Sequence, residues 1–453
     1  MSASLPRIPE KKIDVIESGR RARKGRLGFD LNHDITFSTE SLRSYAFARW
    51  EPVICDALVV SAAIEYSDRV VKRPSRGWAR RLVLNVPVHD PERWNLPEVS
   101  NSLHDVVGFL TGDYWDISFV KRKSPAPFPP QEYLDLPVQT KAVLAYSDGM
   151  DSRAVAGIAR ASLGEALIRV RVGSKNWDRS NGSKEPFTAV PYDVPCDMPN
   201  REASSRSRGF KFALISGIAA YLTEAEEIII PESGQGAIGP ALIAVGYAYP
   251  DYRNHPLFTR RMERFLKALL GKDARYVFPR IWNTKGETLR EFASLSVDND
   301  WQTTRSCWRN NQWSSVNGQL RQCGVCAACM LRRLSVHAAG LAEAPDTYVC
   351  TDMTASALKG ALDPDFTRMS PAFREYAIAG ALHLDHLAEM ADEDATPQVN
   401  RHALFLGQAL DLTPDDAAKR LASLLRRHAE EWASYLTSLG EKSFIKQWAR
   451  YKQ

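Results

Sequence analysis

The sequence has no apolar run long enough to cross a bilayer. The longest lies near Ala57–Ile64, well short of the roughly 18 residues that a membrane span requires. Met1–Glu10 contain no apolar stretch of the kind found in secretion signals. Neither positive nor negative charge is in large excess, since the formal net charge is +5 in 453 residues. This charge gives no electrostatic argument for nucleic-acid binding. We therefore expect a cytoplasmic protein that needs neither a membrane nor nucleic acid.

The number of cysteines is odd, whereas a secreted disulfide framework requires an even number. There are seven, and four of them fall within 23 residues, at Cys307, Cys323, Cys326 and Cys329. Three of the four form a C-x2-C-x2-C run, and four thiolates can close a tetrahedron around Zn²⁺. An iron–sulfur cluster is the alternative, because thiolates serve both. The spacing therefore predicts a metal site whose four positions are all filled, which favours a structural role.

A Walker A loop is also missing at the place where a phosphate loop is expected. The segment Ser147–Ser152 (SDGMDS) follows the apolar run Ala142–Tyr146 and precedes a helix expected from about Asp151, but no Gly-Lys-Ser/Thr follows it. Helix N-termini expose unpaired N–H groups and the positive end of the helix dipole. A tight turn at Gly149 with two serine hydroxyls can surround an anion. The segment predicts phosphate binding; an ordinary strand–turn–helix junction is the alternative.

Proline placement and periodicity divide the chain into four parts. Four prolines in six positions, within the segment Lys123–Thr140, predict a linker. Residues 1–122 are expected to form a small α+β domain of unknown role. Residues 141–345 show the strand–helix–strand order of an α/β domain with a parallel sheet. Residues 346–453 are expected to be a helical C-terminal region, helical from about Met353 onward.

Individual elements follow from apolar periodicity. The expected strands are Leu82–Val88, Tyr114–Val120, Ala142–Tyr146 and Glu227–Pro231. The expected helices are Ser100–Leu110, Phe210–Tyr221 and Ala417–Leu436.

The loop resembles the Ser-Gly-Gly-x-Asp-Ser loop of the PP-loop ATP pyrophosphatases, which cleave ATP between its α and β phosphates and transfer AMP. Asp148 stands where that family has its second glycine. A carboxylate beside a pyrophosphate is unfavourable unless a metal bridges them. Asp148 therefore points away, holds Mg²⁺, or marks altered activity.

The cysteine segment extends the resemblance. Ser306-Cys307-Trp308 followed by CGVCAACMLRR is similar to the C-terminal zinc knuckle of 7-cyano-7-deazaguanine synthase (QueC). Segments resembling that family also occur at Arg206–Phe210, Tyr249–Arg253 and Thr284–Glu287, although Tyr252 stands where the family has a cysteine. The resemblance covers roughly 140–342.

This resemblance implies a HUP-like (adenine nucleotide α-hydrolase) sheet core, with ATP, Mg²⁺ and Zn²⁺ as cofactors and a 7-deazaguanine acid as substrate. The catalytic residues it implies are Ser147, Asp151, Ser152 and Lys285. The nucleotide-binding residues it implies are Ser147, Asp148, Gly149, Met150, Asp151, Ser152, Arg206 and Gly209. The substrate-binding residues it implies are Glu232, Asp251 and Arg253, and the zinc ligands are Cys307, Cys323, Cys326 and Cys329.

The added N- and C-terminal parts resemble the enlarged QueC-like proteins of bacterial antiphage operons, including the Qat and CBASS types. The resemblance implies AMP transfer to 7-carboxy-7-deazaguanine, followed by amide formation with ammonia or with an amine of a protein from the same operon. One alternative is synthesis of 7-cyano-7-deazaguanine for tRNA modification. Another is a nucleotide-binding subunit without catalysis. The sequence does not establish the oligomeric state, and a homodimer is one candidate.

Overall fold

The computed structural model describes residues 8–17, 20–31, 51–74, 77–125, 139–147, 149–172, 194, 201–243, 245–246, 248–295, 301–309 and 314–451. Asp148 and most of the predicted linker Lys123–Thr140 lie outside these residues. The chain forms two compact units that interleave along the sequence. Unit 1 comprises Met1–Tyr146, Leu163–Ile230 and Ala244–Val277, and unit 2 comprises Ser147–Ser162, Pro231–Ile243 and Phe278–Gln453.

Strands and helices alternate through much of the first half of the chain, whereas helices predominate toward its C-terminal end. The first half contains β1 (Glu10–Ile16), β2 (Leu27–Asp30), α1 (Pro52–Val70), β3 (Arg81–Val88), α2 (Pro91–Trp94), α3 (Pro97–Thr111), β4 (Tyr114–Lys121), β5 (Ala142–Ala145), α4 (Met150–Leu163), β6 (Leu167–Val170) and α5 (Arg208–Leu222). The second half contains β7 (Glu227–Ile229), α6 (Gly234–Ala237), α7 (Gly239–Leu242), α8 (Pro256–Leu270), β8 (Arg275–Val277), α9 (Lys285–Ser294), β9 (Ser315–Val316), β10 (Gln319–Leu320), α10 (Ala327–Ala338), α11 (Pro371–Glu389), α12 (Thr396–Leu410), α13 (Pro414–Leu439) and α14 (Phe444–Trp448).

The first sheet of unit 1 is built from the N-terminal part of the chain. Its strand order is β2-β1-β3-β4, and all three pairings are parallel. The strands predicted at Leu82–Val88 and Tyr114–Val120 are confirmed, with Ile117 and Phe119 buried on one face. This differs from the α+β class expected for residues 1–122, which typically has an antiparallel sheet: here the described strands pair in parallel, and helices precede β3 and β4. Such strands are covered on both faces, and hydrophobic periodicity alone does not reveal strand direction.

The second sheet of unit 1 has the order β6-β5-β7-β8 and is also entirely parallel. The parallel α/β sheet predicted for this part of the chain is thereby confirmed. Within unit 1, α1 packs against α5 and α3 against α8. Phe265 of α8 lies against both Trp94 and Phe210. These contacts join the N-terminal sheet and the second sheet into one unit.

Unit 2 contains the C-terminal helices and the cysteine segment. Helix α13 has Leu421, Leu424, Leu425 and Trp432 buried, as the periodicity predicts. Residues 353–370 are not helical, contrary to the expected start near Met353; α11 begins at Pro371 after a cap in which Ser370 Oγ accepts from Phe373 N–H. Gly360 and Pro364 account for the interruption. Among the described helices, none is both long and apolar enough to span a membrane.

Candidate functional site

The predicted phosphate loop lies in unit 2, between the end of β5 and the first turn of α4. Its two serine hydroxyls converge: Ser147 Oγ lies 2.9 Å from Ser152 Oγ, and the N–H of Gly149 donates to Ser147 Oγ at 3.1 Å. Met150 opens α4 with its side chain buried in a core that includes Phe292, so only its backbone is available to a ligand. In the described part of the loop, the buried Met150 side chain therefore anchors the start of α4, and the two serine hydroxyls pair with each other.

Lys285 is brought to this loop from a distant part of the sequence. Its ammonium group forms an ion pair with Asp151 Oδ2, and both side chains are largely buried. The other carboxylate oxygen, Asp151 Oδ1, is buried and has no hydrogen-bond partner among the described residues. A buried acceptor without a donor is costly, so this atom is suited to a cation or a donor supplied by a ligand. The loop thus has one cation, the Lys285 ammonium group, and one carboxylate oxygen, Asp151 Oδ1, without a hydrogen-bond partner among the described residues.

The backbone of Lys285 is fixed by the start of α9. Thr284 caps this helix in a capping box with Glu287, which satisfies two N–H groups that would otherwise lack partners. The N–H of Lys285 donates to Gln235 Oε1 at 2.8 Å. Glu232 lies three residues before Gln235, with its carboxylate against Gly236. Gln235 has no recognisable sequence signal, since a glutamine between glycines is typical of many loops.

A second group of predicted residues comes together in unit 1. Asp251 Oδ2 lies 2.5 Å from Arg206 Nη1 and 2.5 Å from Arg253 Nη2, and Gly209 packs against Arg253. Burial opposes ionisation of Asp251, but Arg253 and Arg206 together lower its pKa. The structure therefore brings Arg206, Gly209, Asp251 and Arg253 into one charged cluster with a net positive charge.

The N-terminal part of the chain holds this cluster in place. Asp68, fully buried on α1, accepts from the N–H of Ser207 at 2.8 Å and pairs with Arg80 at 2.6 Å. The Arg206 guanidinium lies over the Trp78 ring, 5.2 Å from its centroid. The contacts of Asp68 with Ser207 and of Arg206 with Trp78 each span more than a hundred residues of sequence. No local sequence motif predicts them.

The four cysteines predicted as metal ligands form one cluster in unit 2. Their sulfur atoms all lie within 4.8 Å of one another, and Cys323 Sγ is 3.8 Å from Cys329 Sγ. Zn–S bonds of about 2.3 Å in a tetrahedron require sulfur separations of about 3.8 Å. Burial raises the pKa of the Cys329 thiol, so ionised sulfurs at this depth require a compensating cation. The four thiolates and their spacing fit a single tetrahedral ion such as Zn²⁺.

One comparison with known proteins bears on this region. Residues 232–340 match the family model described as QueC, queuosine biosynthesis protein QueC. The matched segment contains Glu232, Gln235, Lys285 and the cysteine cluster, and it is less than half of the chain. No curated protein matches the sequence. The match supports a QueC-like region within residues 232–340.

Proposed function

We propose that this protein transfers AMP from ATP to the carboxylate of 7-carboxy-7-deazaguanine and then forms an amide. The observation that carries the proposal is the pairing of Lys285 with Asp151 on the Ser147–Ser152 loop. Lys285 lies inside the QueC-matched segment, whereas the loop lies outside it. Two segments far apart in sequence thus supply the cation and the hydroxyls that a polyphosphate requires.

The proposed reaction requires no covalent bond between the protein and its substrates. A substrate carboxylate oxygen attacks the α-phosphorus of ATP, the bond to the bridging oxygen of the β phosphate breaks, and pyrophosphate leaves with the electron pair. An amine then attacks the activated carbonyl and AMP leaves, while the amine loses a proton. We assign Ser147, Ser152 and the N–H group of Met150 to the phosphates, and Gly149 to the orientation of the Ser147 hydroxyl, to which its N–H donates. Such preorganised donors stabilise charge that develops on the leaving group.

Lys285 is proposed to neutralise the departing pyrophosphate. Asp151 orients Lys285 through Oδ2, and its Oδ1 is the proposed position for Mg²⁺, which prefers one or two carboxylates together with phosphate oxygens. When bound, Mg²⁺ would supply Lewis-acid stabilisation of the phosphates. Asp148, outside the described residues, is a proposed second carboxylate.

The remaining predicted residues have proposed roles in ligand recognition. Glu232 offers a carboxylate to the N–H donors on the guanine-like edge of the substrate. Asp251 orients the guanidinium groups of Arg206 and Arg253, which are suited to phosphate or carboxylate groups. We further propose that the amine acceptor is ammonia or a protein, and that the reaction serves antiphage defence. Conversion to 7-cyano-7-deazaguanine is the second candidate, favoured by the family description of the matched segment.

Replacing Ser152 with alanine should lower AMP formation on the order of a hundredfold, because one donor to a developing charge contributes about 3 kcal/mol. The fold should persist, since the hydroxyl bonds to the neighbouring Ser147 of the same loop. Pyrophosphate release in the presence of ATP, Mg²⁺ and 7-carboxy-7-deazaguanine measures the effect. Ser162→Ala, on an exposed position of the same helix, is the matched control. Unchanged turnover in Ser152→Ala would show that the loop is only structural.

A further inference from the structure

A chain of buried polar contacts leads from the C-terminal helix α13 to Lys285, entirely within unit 2. His428 Nδ1 lies 2.8 Å from Gln235 Nε2, and Gln235 Oε1 accepts the N–H of Lys285 at 2.8 Å. Glu431 Oε1 accepts from Thr284 Oγ1 at 2.6 Å, one residue before Lys285. Two consecutive residues at the start of α9, Thr284 through its hydroxyl and Lys285 through its N–H, are therefore connected to one helical turn of α13.

The hydrogen-bond roles in this chain are mutually consistent. His428 Nε2 lies 2.9 Å from the carbonyl oxygen of Leu384, so Nε2 must carry the proton and Nδ1 must accept. Burial lowers the pKa of His428 to about 4, which keeps the imidazole neutral. Gln235 can then donate to His428 only through its amide nitrogen, and its oxygen necessarily faces Lys285. The neutral histidine thus fixes the orientation of Gln235.

Close packing keeps α13 against the segments that it orients. A β-carbon at Gly286 would lie 2.7 Å from Ala338 Cβ and 3.1 Å from Glu431 Oε1. A β-carbon at Gly234, beside Gln235, would overlap Leu424 Cδ2 of α13. Glycine at both positions permits this approach, and any larger residue would push α13 away. Helix α13 is therefore packed directly against the segments that contain Gly234 and Gly286, within unit 2.

We infer that His428 and Glu431 are positioning residues for Lys285, acting through Gln235 and Thr284, so that the C-terminal helical region completes the phosphate-binding site. The inference rests on the proposed role of Lys285 toward the pyrophosphate. Glu431 is suited to this task because its carboxylate can accept from Thr284 and from Gln235, whose Nε2 lies 3.4 Å from Oε2. Burial, with Glu287 nearby, raises the pKa of Glu431 to about 7.

The test compares three full-length variants. Gln235→Met removes both polar ends of the connecting side chain at similar volume, and we expect kcat to fall between about tenfold and about a hundredfold, as displacement of a catalytic group does. Glu431→Gln keeps the acceptor for Thr284 but turns an amide N–H₂ toward Gln235, and we expect a fall of about threefold to tenfold from the resulting misplacement. Glu430→Gln, on the adjacent exposed position, should be unchanged. In Gln235→Met and Glu431→Gln, KM for ATP should move less than kcat.

A second readout does not depend on activity. Acetic anhydride should modify Lys285 slowly in the unaltered protein, because Lys285 is buried and ion-paired, and modification is quantified by peptide mass spectrometry relative to exposed Lys359. Gln235→Met should raise Lys285 labelling several-fold, while Glu430→Gln should not. Unchanged labelling and unchanged kcat in both test variants would overturn the inference. If the unaltered protein lacks AMP-forming activity, the proposed function fails, and the labelling comparison still decides whether α13 positions Lys285. If Gln235→Met does not fold, Glu431→Gln carries the test.

Discussion

Replacement of Cys326 with serine should release the metal and destabilise unit 2 by several kcal/mol. Cys323, Cys326 and Cys329 are fully buried and share a hydrophobic core with Phe373 and Trp432. Structural zinc contributes its binding free energy to folding, with apparent values of about 10–16 kcal/mol in zinc-finger peptides. Loss of one of four ligands should remove a large part of that contribution. Metal analysis and urea denaturation measure the two effects, and a chelator should reproduce them in the unaltered protein.

Cys350 provides the matched control for this experiment. It is buried in the same core but is not one of the four clustered cysteines, and burial raises its pKa to about 12, so it stays a thiol. Cys350→Ser should keep about one zinc per chain and lose stability only through burial of a hydroxyl. Iron in place of zinc, with visible charge-transfer absorbance, would contradict the zinc assignment. Full metal content in Cys326→Ser would contradict the ligand assignment.

Lys285→Met should lower AMP formation by about a thousandfold. A lost neutral donor costs on the order of a hundredfold to a thousandfold, and charge-assisted hydrogen bonds are roughly twice as strong as neutral ones. The variant also leaves Asp151 without its cation, so some stability should be lost as well. Pyrophosphate release should therefore be measured well below the melting temperature of the variant.

Two further variants separate the effect of the Lys285 charge on the reaction rate from its effect on stability. Lys359→Met removes an exposed lysine in the same unit and should leave the rate unchanged. Lys285→Met combined with Asp151→Asn should recover stability, because the unpaired buried carboxylate is removed, but it should not recover activity. A Lys285→Met variant with the unaltered rate would exclude Lys285 from catalysis.

The parts of the site that the sequence predicts are those encoded by local spacing. The SDGMDS turn and the C-x2-C-x2-C run place their own functional atoms within a few residues, so the hydroxyl pair and three of the four sulfurs follow from the sequence. Lys285 is identifiable in the sequence only through a family resemblance. Its pairing with Asp151 is evident only in three dimensions.

The contacts that the sequence did not predict are all tertiary. Asp68 meets Ser207 across 139 positions, and Gln235 meets His428 across 193. No periodicity encodes such pairs, because each residue alone looks like an ordinary polar side chain. The parallel direction of the N-terminal strands was missed for the same reason, since strand pairing depends on how the intervening helices cross the sheet.

The most direct test of the proposed AMP transfer follows one oxygen atom. 7-Carboxy-7-deazaguanine labelled with heavy oxygen in its carboxylate is incubated with the protein, ATP, Mg²⁺ and ammonia, and the nucleotide and phosphate products are analysed by mass spectrometry. If the carboxylate attacks the α-phosphorus, AMP carries one heavy oxygen and pyrophosphate carries none. Heavy oxygen in inorganic phosphate, with ADP as the nucleotide product, would show attack at the γ-phosphorus and contradict the account.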